Sequence, residues 1–264
     1  MSKILFRLTA ASVFVILTSA LCAAQEFQKK YEIGAGGHIN VSSVSGNVTV
    51  TGYDGGAVLV TAVKEGSDRD KVEVEDASAG DRIELRTRYA PNCNCNASIN
   101  FTVQVPRSAK YNFDKLSTAS GNIEVRDVIG LLHARSASGE ITVTGVSGSI
   151  DVSTASGNVR VREASGTVNA SAASGNVEVE ITSVEGAEDM KFTSASGNVN
   201  VKAPANLDAT VDMSSVNGSL KTDFPLEVKE PQYGSHRSAH GRLGNGSRRL
   251  KIGSASGDVS LTRM

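Results

Sequence analysis

The chain has 264 residues and a formal net charge of −1, with 27 basic residues against 28 acidic ones, so no broad basic surface exists for nucleic acid. Glycine is abundant at 26 residues, aromatic residues make up 5% and tryptophan is absent, while Val, Ile and Thr recur in short runs bounded by Gly, Ser and Asn. That composition excludes a helical bundle and points to an all-β chain with many turns.

Residues 1–24 read as a secretory signal peptide. Lys3 and Arg7 give a positive start, Leu8 to Leu21 an apolar segment, and Cys22-Ala23-Ala24 a small-residue end. The uncharged run of about 17 residues after Arg7 is short for a retained membrane helix, which needs roughly 20. Leu21 stands where a lipidated Cys22 would call for a small residue. Cleavage after about Ala24 removes two basic residues, Lys3 and Arg7, and no acidic one, so the net charge moves from −1 to −3. The mature chain, residues 25–264, is expected to be exported, to the periplasm or the cell surface.

From residue 31 to 116 the pattern reads as irregular, wider coils of a β-solenoid. "SVSGNVTVTGYDGGAVLVTAVKEG" from Ser43 alternates apolar and polar residues, and "KVEVEDASAGDRIELRTR" from Lys71 supplies two more alternating strands about a Gly-containing turn. Between them and the repeats lies "PNCNCNAS". In an oxidising compartment Cys93 and Cys95 are candidates for a small disulfide ring. The other reading, a metal or redox pair, lacks the two further Cys or His ligands that such a site needs nearby.

Residues 117–222 carry the strongest signal. Gly121, Gly139, Gly157 and Gly175 are 18 residues apart, and Gly197 and Gly218 follow at 22 and 21. A second series, Gly130, Gly148, Gly166 and Gly186, runs between them, so the repeat is about 18–22 residues long and has two similar halves. After each turn of the first series comes apolar-x-apolar, as in Ile123/Val125, Ile141/Val143 and Val159/Val161. Alternate residues of a strand share a face, so these pairs point inward while Glu124, Thr142 and Arg160 point outward. The second series behaves likewise, with Leu132/Ala134 and Ile150/Val152 inward and His133, Asp151, Asn169 and Lys191 outward. One coil cannot bury its apolar side alone; coils stacked about 4.8 Å apart share a continuous interior. Asn122, Asn158, Asn176 and Asn198 are predicted to stack at one corner, with Glu140 replacing Asn in one coil.

Residues 223–250 break the rhythm. Pro225, Pro231 and the Gly, Ser and His residues after them predict a long loop excursion before a final strand at 251–264. His236, Arg237, His240, Arg242, Arg248 and Arg249 make this the most basic stretch and the candidate site for an anionic ligand. A solvated loop is the plain alternative.

The repeated "SASGNV" corners, the preceding "INFTVQVPRSAKYNF" and the closing "LKIGSASGDVSL" resemble the bacterial adhesin-like family of exported β-solenoid domains of unknown function, from about Tyr31 to Leu261. The resemblance implies an all-β, single-domain solenoid of the cell envelope and carries no catalytic residue with it. The residues agree: no G-x-S-x-G occurs, and His38, His133, His236 and His240 lie in dissimilar contexts. No catalytic, metal or cofactor-binding residue is therefore assigned, and no cofactor is expected. The expected function is a non-catalytic binding or structural module whose partner is an envelope component, an anionic polysaccharide or a protein. Two alternatives stand beside it: a scaffold that self-associates through its solenoid ends, and a carbohydrate-active β-helix enzyme.

Overall fold

The computed structural model describes residues 26–184, 186, 188–229 and 236–264. The expected signal peptide, residues 1–24, lies outside the described residues. Among them the chain forms 22 strands and one single-turn 3-10 segment, Arg69–Lys71. The molecule is a single β-solenoid. Each regular coil holds one short and one long strand, as in Ile141–Thr144 and Ser147–Ser156.

The 18-residue spacing becomes exact parallel register. Ile141 pairs with Ile123 on one side and Val159 on the other, and Gly148 pairs with Gly130 and Gly166. Val125, Val143, Val161, Val179 and Val201 are all buried, as are Leu132, Ile150, Val168 and Phe192 in the other strand. Each such side chain contributes roughly 1.5–3 kcal/mol before entropy is subtracted, which explains why several coils are needed for a stable stack.

The corner motif has two separate causes. At Gly157 the backbone has φ +142°, and a Cβ there would stand 2.2 Å from the Gly139 carbonyl oxygen of the preceding coil, so only glycine fits. Two residues before the second serine of the motif, a buried hydroxyl turns inward. Ser136, Thr154 and Ser254 donate to the carbonyls of Gly121, Gly139 and Gly197 at 3.1, 3.0 and 2.8 Å. These bonds satisfy oxygens that the tight corner would otherwise bury unpaired.

The asparagine ladder exists with one change of partner. Glu140 N–H donates to Asn122 Oδ1, and Asn176 and Asn198 N–H donate to Asn158 and Asn176 Oδ1, all at 2.9 Å. Glu140 instead accepts from Thr142 Oγ1 at 3.1 Å and from Arg160. Arg160 also pairs with Glu178 at 3.3 Å.

Chain order and stacking order differ at both ends. The coil formed by His38–Ser45 and Val48–Tyr53 sits between strands Arg82–Tyr89 and Ser98–Pro106 on one side and Lys110–Ser120 and Ile123–Arg126 on the other. The last coil of the chain, Arg249–Ser256 and Val259–Arg263, inserts between the coils that begin at Met190 and Ala209. The final strand expected at 251–264 thus lies inside the stack rather than at its end. The expected loop excursion, 223–250, is corrected: it contains strand Arg237–Leu243, antiparallel to Ala209–Asn217, with Glu227–Lys229 antiparallel beyond it. At the other end Glu26–Tyr31 and Val72–Asp76 lie outermost, each antiparallel to its neighbour.

Candidate functional site

The long strands present an outer surface whose relief follows from the repeat. The residue after the buried corner position points out and is alanine in six adjacent coils, Ala119, Ala137, Ala155, Ala173, Ala195 and Ala255; the buried position itself is Ser or Thr in five of them and Ala172 in the other. Two residues earlier stand Ser117, Ser153, Ser171 and Thr193, also outward. Side chains on these two rows are small apart from Arg135, and they leave a shallow groove of about 1080 Å³. Six rows at the strand spacing give it a length of about 24 Å, along the solenoid axis and across the strands.

The charged side chains lining this groove are Arg135, Lys191 and Lys251, and none of the lining residues is acidic. Lys191 and Lys251 are register partners on adjacent strands, both exposed, and among the described residues neither ammonium has an ion-pair partner. The nearest carboxylates are engaged elsewhere. Asp212, the register partner of Lys251 on its other side, accepts from His240 Nδ1 at 2.5 Å, and Asp151 lies 4.0 Å from Arg135.

The basic stretch foreseen in the sequence is distributed rather than gathered. Arg237 Nη1 donates to the Gly218 carbonyl at 2.7 Å and is tied to a corner. Arg248 Nε donates to the Asp208 carbonyl at 3.1 Å, inside a knot where the N–H groups of Gly246 and Ser247 donate to Asp208 Oδ1. Burial alone would raise the Asp208 carboxyl, but those backbone donors outweigh it and hold it below the usual range. Arg242 and Arg249 flank Thr210 in the sheet, His240 pairs with Asp212, and His236 is exposed at the strand's start. Residues 237–243 are thus part of a strand and not an adaptable loop. Lys251, which follows the same stretch in the sequence, lines the groove.

His38 Nδ1 and Asp114 Oδ2 are 2.6 Å apart at the opposite end of the stack from His240 and Asp212, so no single site combines them. The Cα atoms of Cys93 and Cys95, the candidates for a small disulfide ring, are 5.0 Å apart, within the span that a disulfide bridges. Among the described residues no group of three or more His, Cys, Asp or Glu side chains is placed to hold a metal ion.

Coils in parallel register, two strands to a coil and a corner glycine capped by a hydroxyl in most of them, make this an all-β repeat protein of the β-solenoid class. The chain belongs to the Toastrack DUF4097 family, which matches residues 28–262. This is the adhesin-like family that the "SASGNV" corners resemble. Among solved structures, the chain is similar to a candidate cell adhesion protein from Clostridium sporogenes at 11% identity, covering 91% of this chain and 99% of that one, with a TM-score of 0.39. It is also similar to a candidate adhesin from Bacteroides fragilis at 15% identity, covering 92% and 98%, with a TM-score of 0.42. No curated protein matches the chain in sequence.

Proposed function

We propose that the protein is an exported, non-catalytic, adhesin-like module of the cell envelope that binds its partner along the long-strand face. The observation that carries this reading is the groove of about 1080 Å³, which joins six coils into one continuous surface with cations of a single sign. Export is supported by the charged start and apolar run of residues 1–24. The names of the similar proteins point the same way, toward adhesion at a bacterial surface. An enzymatic reading gains nothing from the geometry, since the two His–Asp pairs stand apart and the groove holds no carboxylate pair. The scaffold reading is weakened by the antiparallel strands Glu26–Tyr31, Val72–Asp76 and Glu227–Lys229, which edge the stack everywhere except at the three-residue strand Leu220–Thr222.

The test is retention of envelope fractions on immobilised chain 25–264. Ala173→Phe fills the groove from an outward position without altering charge. Loss of retention with an unchanged melting temperature supports the reading, and unchanged retention overturns the face as the binding surface.

A further inference from the structure

We infer that the groove takes a linear acidic polysaccharide lying along the solenoid axis, with its carboxylates on Lys191, Lys251 and Arg135. This inference rests on the reading of the long-strand face as the binding surface and names the chemistry of what lies there. Three properties of the groove lead to it.

The first is charge. The protein as a whole is net acidic, yet every charged residue lining this groove is basic. Lys191 and Lys251 are register partners on strands about 4.8 Å apart, so two like charges share one place on the sheet and an anion there would relieve their repulsion. Their acidic neighbour Asp212, across from Lys251, is hydrogen-bonded to His240, and Lys191 has the neutral Asn169 on its other side.

The second property is periodicity. In four of the six coils the groove repeats one hydroxyl and one methyl, as Ser153 with Ala155, Ser171 with Ala173 and Thr193 with Ala195, while Arg135 and Gly253 take the hydroxyl's place in the other two. A repeating floor of this kind offers each unit of a repeating polymer the same pair of contacts, which a folded protein surface has no use for. The third is shape. A trough about 24 Å long and open on top suits one extended chain, whereas a membrane surface is flat and would rest on the rim. Aromatic side chains are missing from the lining, so recognition rests on charge and hydroxyl contacts rather than on ring stacking.

The experiment uses chain 25–264 with linear polygalacturonate as the probe, neutral dextran of similar length as one control and vesicles rich in anionic phospholipid as the other. The expected result is binding of polygalacturonate but not dextran, weakening as salt rises from 0.05 to about 0.3 M because exposed charges are screened. Lys191→Gln with Lys251→Gln should lower affinity roughly fivefold, in keeping with two exposed charge contacts. Lys202→Gln with Lys221→Gln, on the short-strand side, removes the same charge and should change little. Equal losses from both double variants, equal binding of dextran, or tighter binding of vesicles than of polymer would each overturn the inference. Should polygalacturonate fail to bind while Ala173→Phe still abolishes envelope retention, the acidic polymer is wrong and the binding face stands.

Discussion

At the scale of single residues, the repeat separates inside from outside so sharply that adjacent positions carry opposite consequences. Val161 is buried between two coils while Arg160 faces solvent between Glu140 and Glu178. Val161→Asp would bury an unpaired carboxylate and should cost roughly 3 kcal/mol or more. Arg160→Asp loses a surface pair and gains two acidic neighbours, for about 1 kcal/mol. Urea midpoints of the two variants test this, and equal shifts would mean the faces are exchanged. A second residue-scale prediction concerns acid. Burial on its own would raise the Asp76 carboxyl, but hydrogen bonds from Lys29, Ser78 and Tyr31 outweigh it and bring it down to about 2. A carboxyl whose folded pKa lies below its unfolded value of about 3.9 stabilises the fold above that value, and the contribution is lost as pH falls toward 2. The melting temperature of Asp76→Asn should therefore trail the wild type near pH 6 and meet it near pH 2. A gap that stays constant across that range would show that Asp76 acts through packing alone.

At the scale of elements, the inward pairs and the corners were legible because both depend on local spacing: a period of two in the strand and a period of 18 along the chain. The buried hydroxyls were legible as well, though their role was not. The position is Ser or Thr in Thr118, Ser136, Thr154, Ser194 and Ser254, with Ala172 as the exception. What spacing could not reveal is that residues 237–243 form a strand. Arg237, His240 and Arg242 look like loop residues by composition, and they become a strand because Ala239 and Leu243 can cover the end of the core. The cover matters for assembly. An open end would expose unpaired N–H and C=O groups, and here the outermost strands are short or charged, with Lys29 and Lys30 at one end and Glu227 and Lys229 at the other. Sedimentation of chain 25–264 should accordingly give a monomer whose coefficient does not rise with concentration. Growth into long species with increasing concentration would restore the scaffold reading and displace the binding module.

At the scale of the molecule, the last coil of the chain is clasped between two others. The SASGDV corner at Gly257 fits between any two coils as well as it fits at the end of the stack, because every coil presents the same carbonyl and the same ladder; stacking order is therefore not written in the motif. One hint existed. Leu220–Thr222, the strand after Gly218, is only three residues long and leaves Leu220 partly exposed, as suits a coil at the edge. The physical consequence of insertion is that the last 16 residues hold the C-terminal third together. Residues 249–264 contribute Leu250, Ile252, Val259 and Leu261, all fully buried, and supply both neighbours with their ladder partners. Four such side chains are worth roughly 6–12 kcal/mol of burial, comparable to the about 5–15 kcal/mol net stability of a whole domain. Deleting 249–264 should thus abolish cooperative unfolding of the C-terminal coils and open the 190–222 region to protease. Deleting 26–31, an outermost strand with Tyr31 as its buried anchor, should lower the melting temperature by only a few degrees. Limited proteolysis and thermal melts of the two truncations decide the matter. If both are equally mild, the final coil is not held between its neighbours and the stack ends where the chain does.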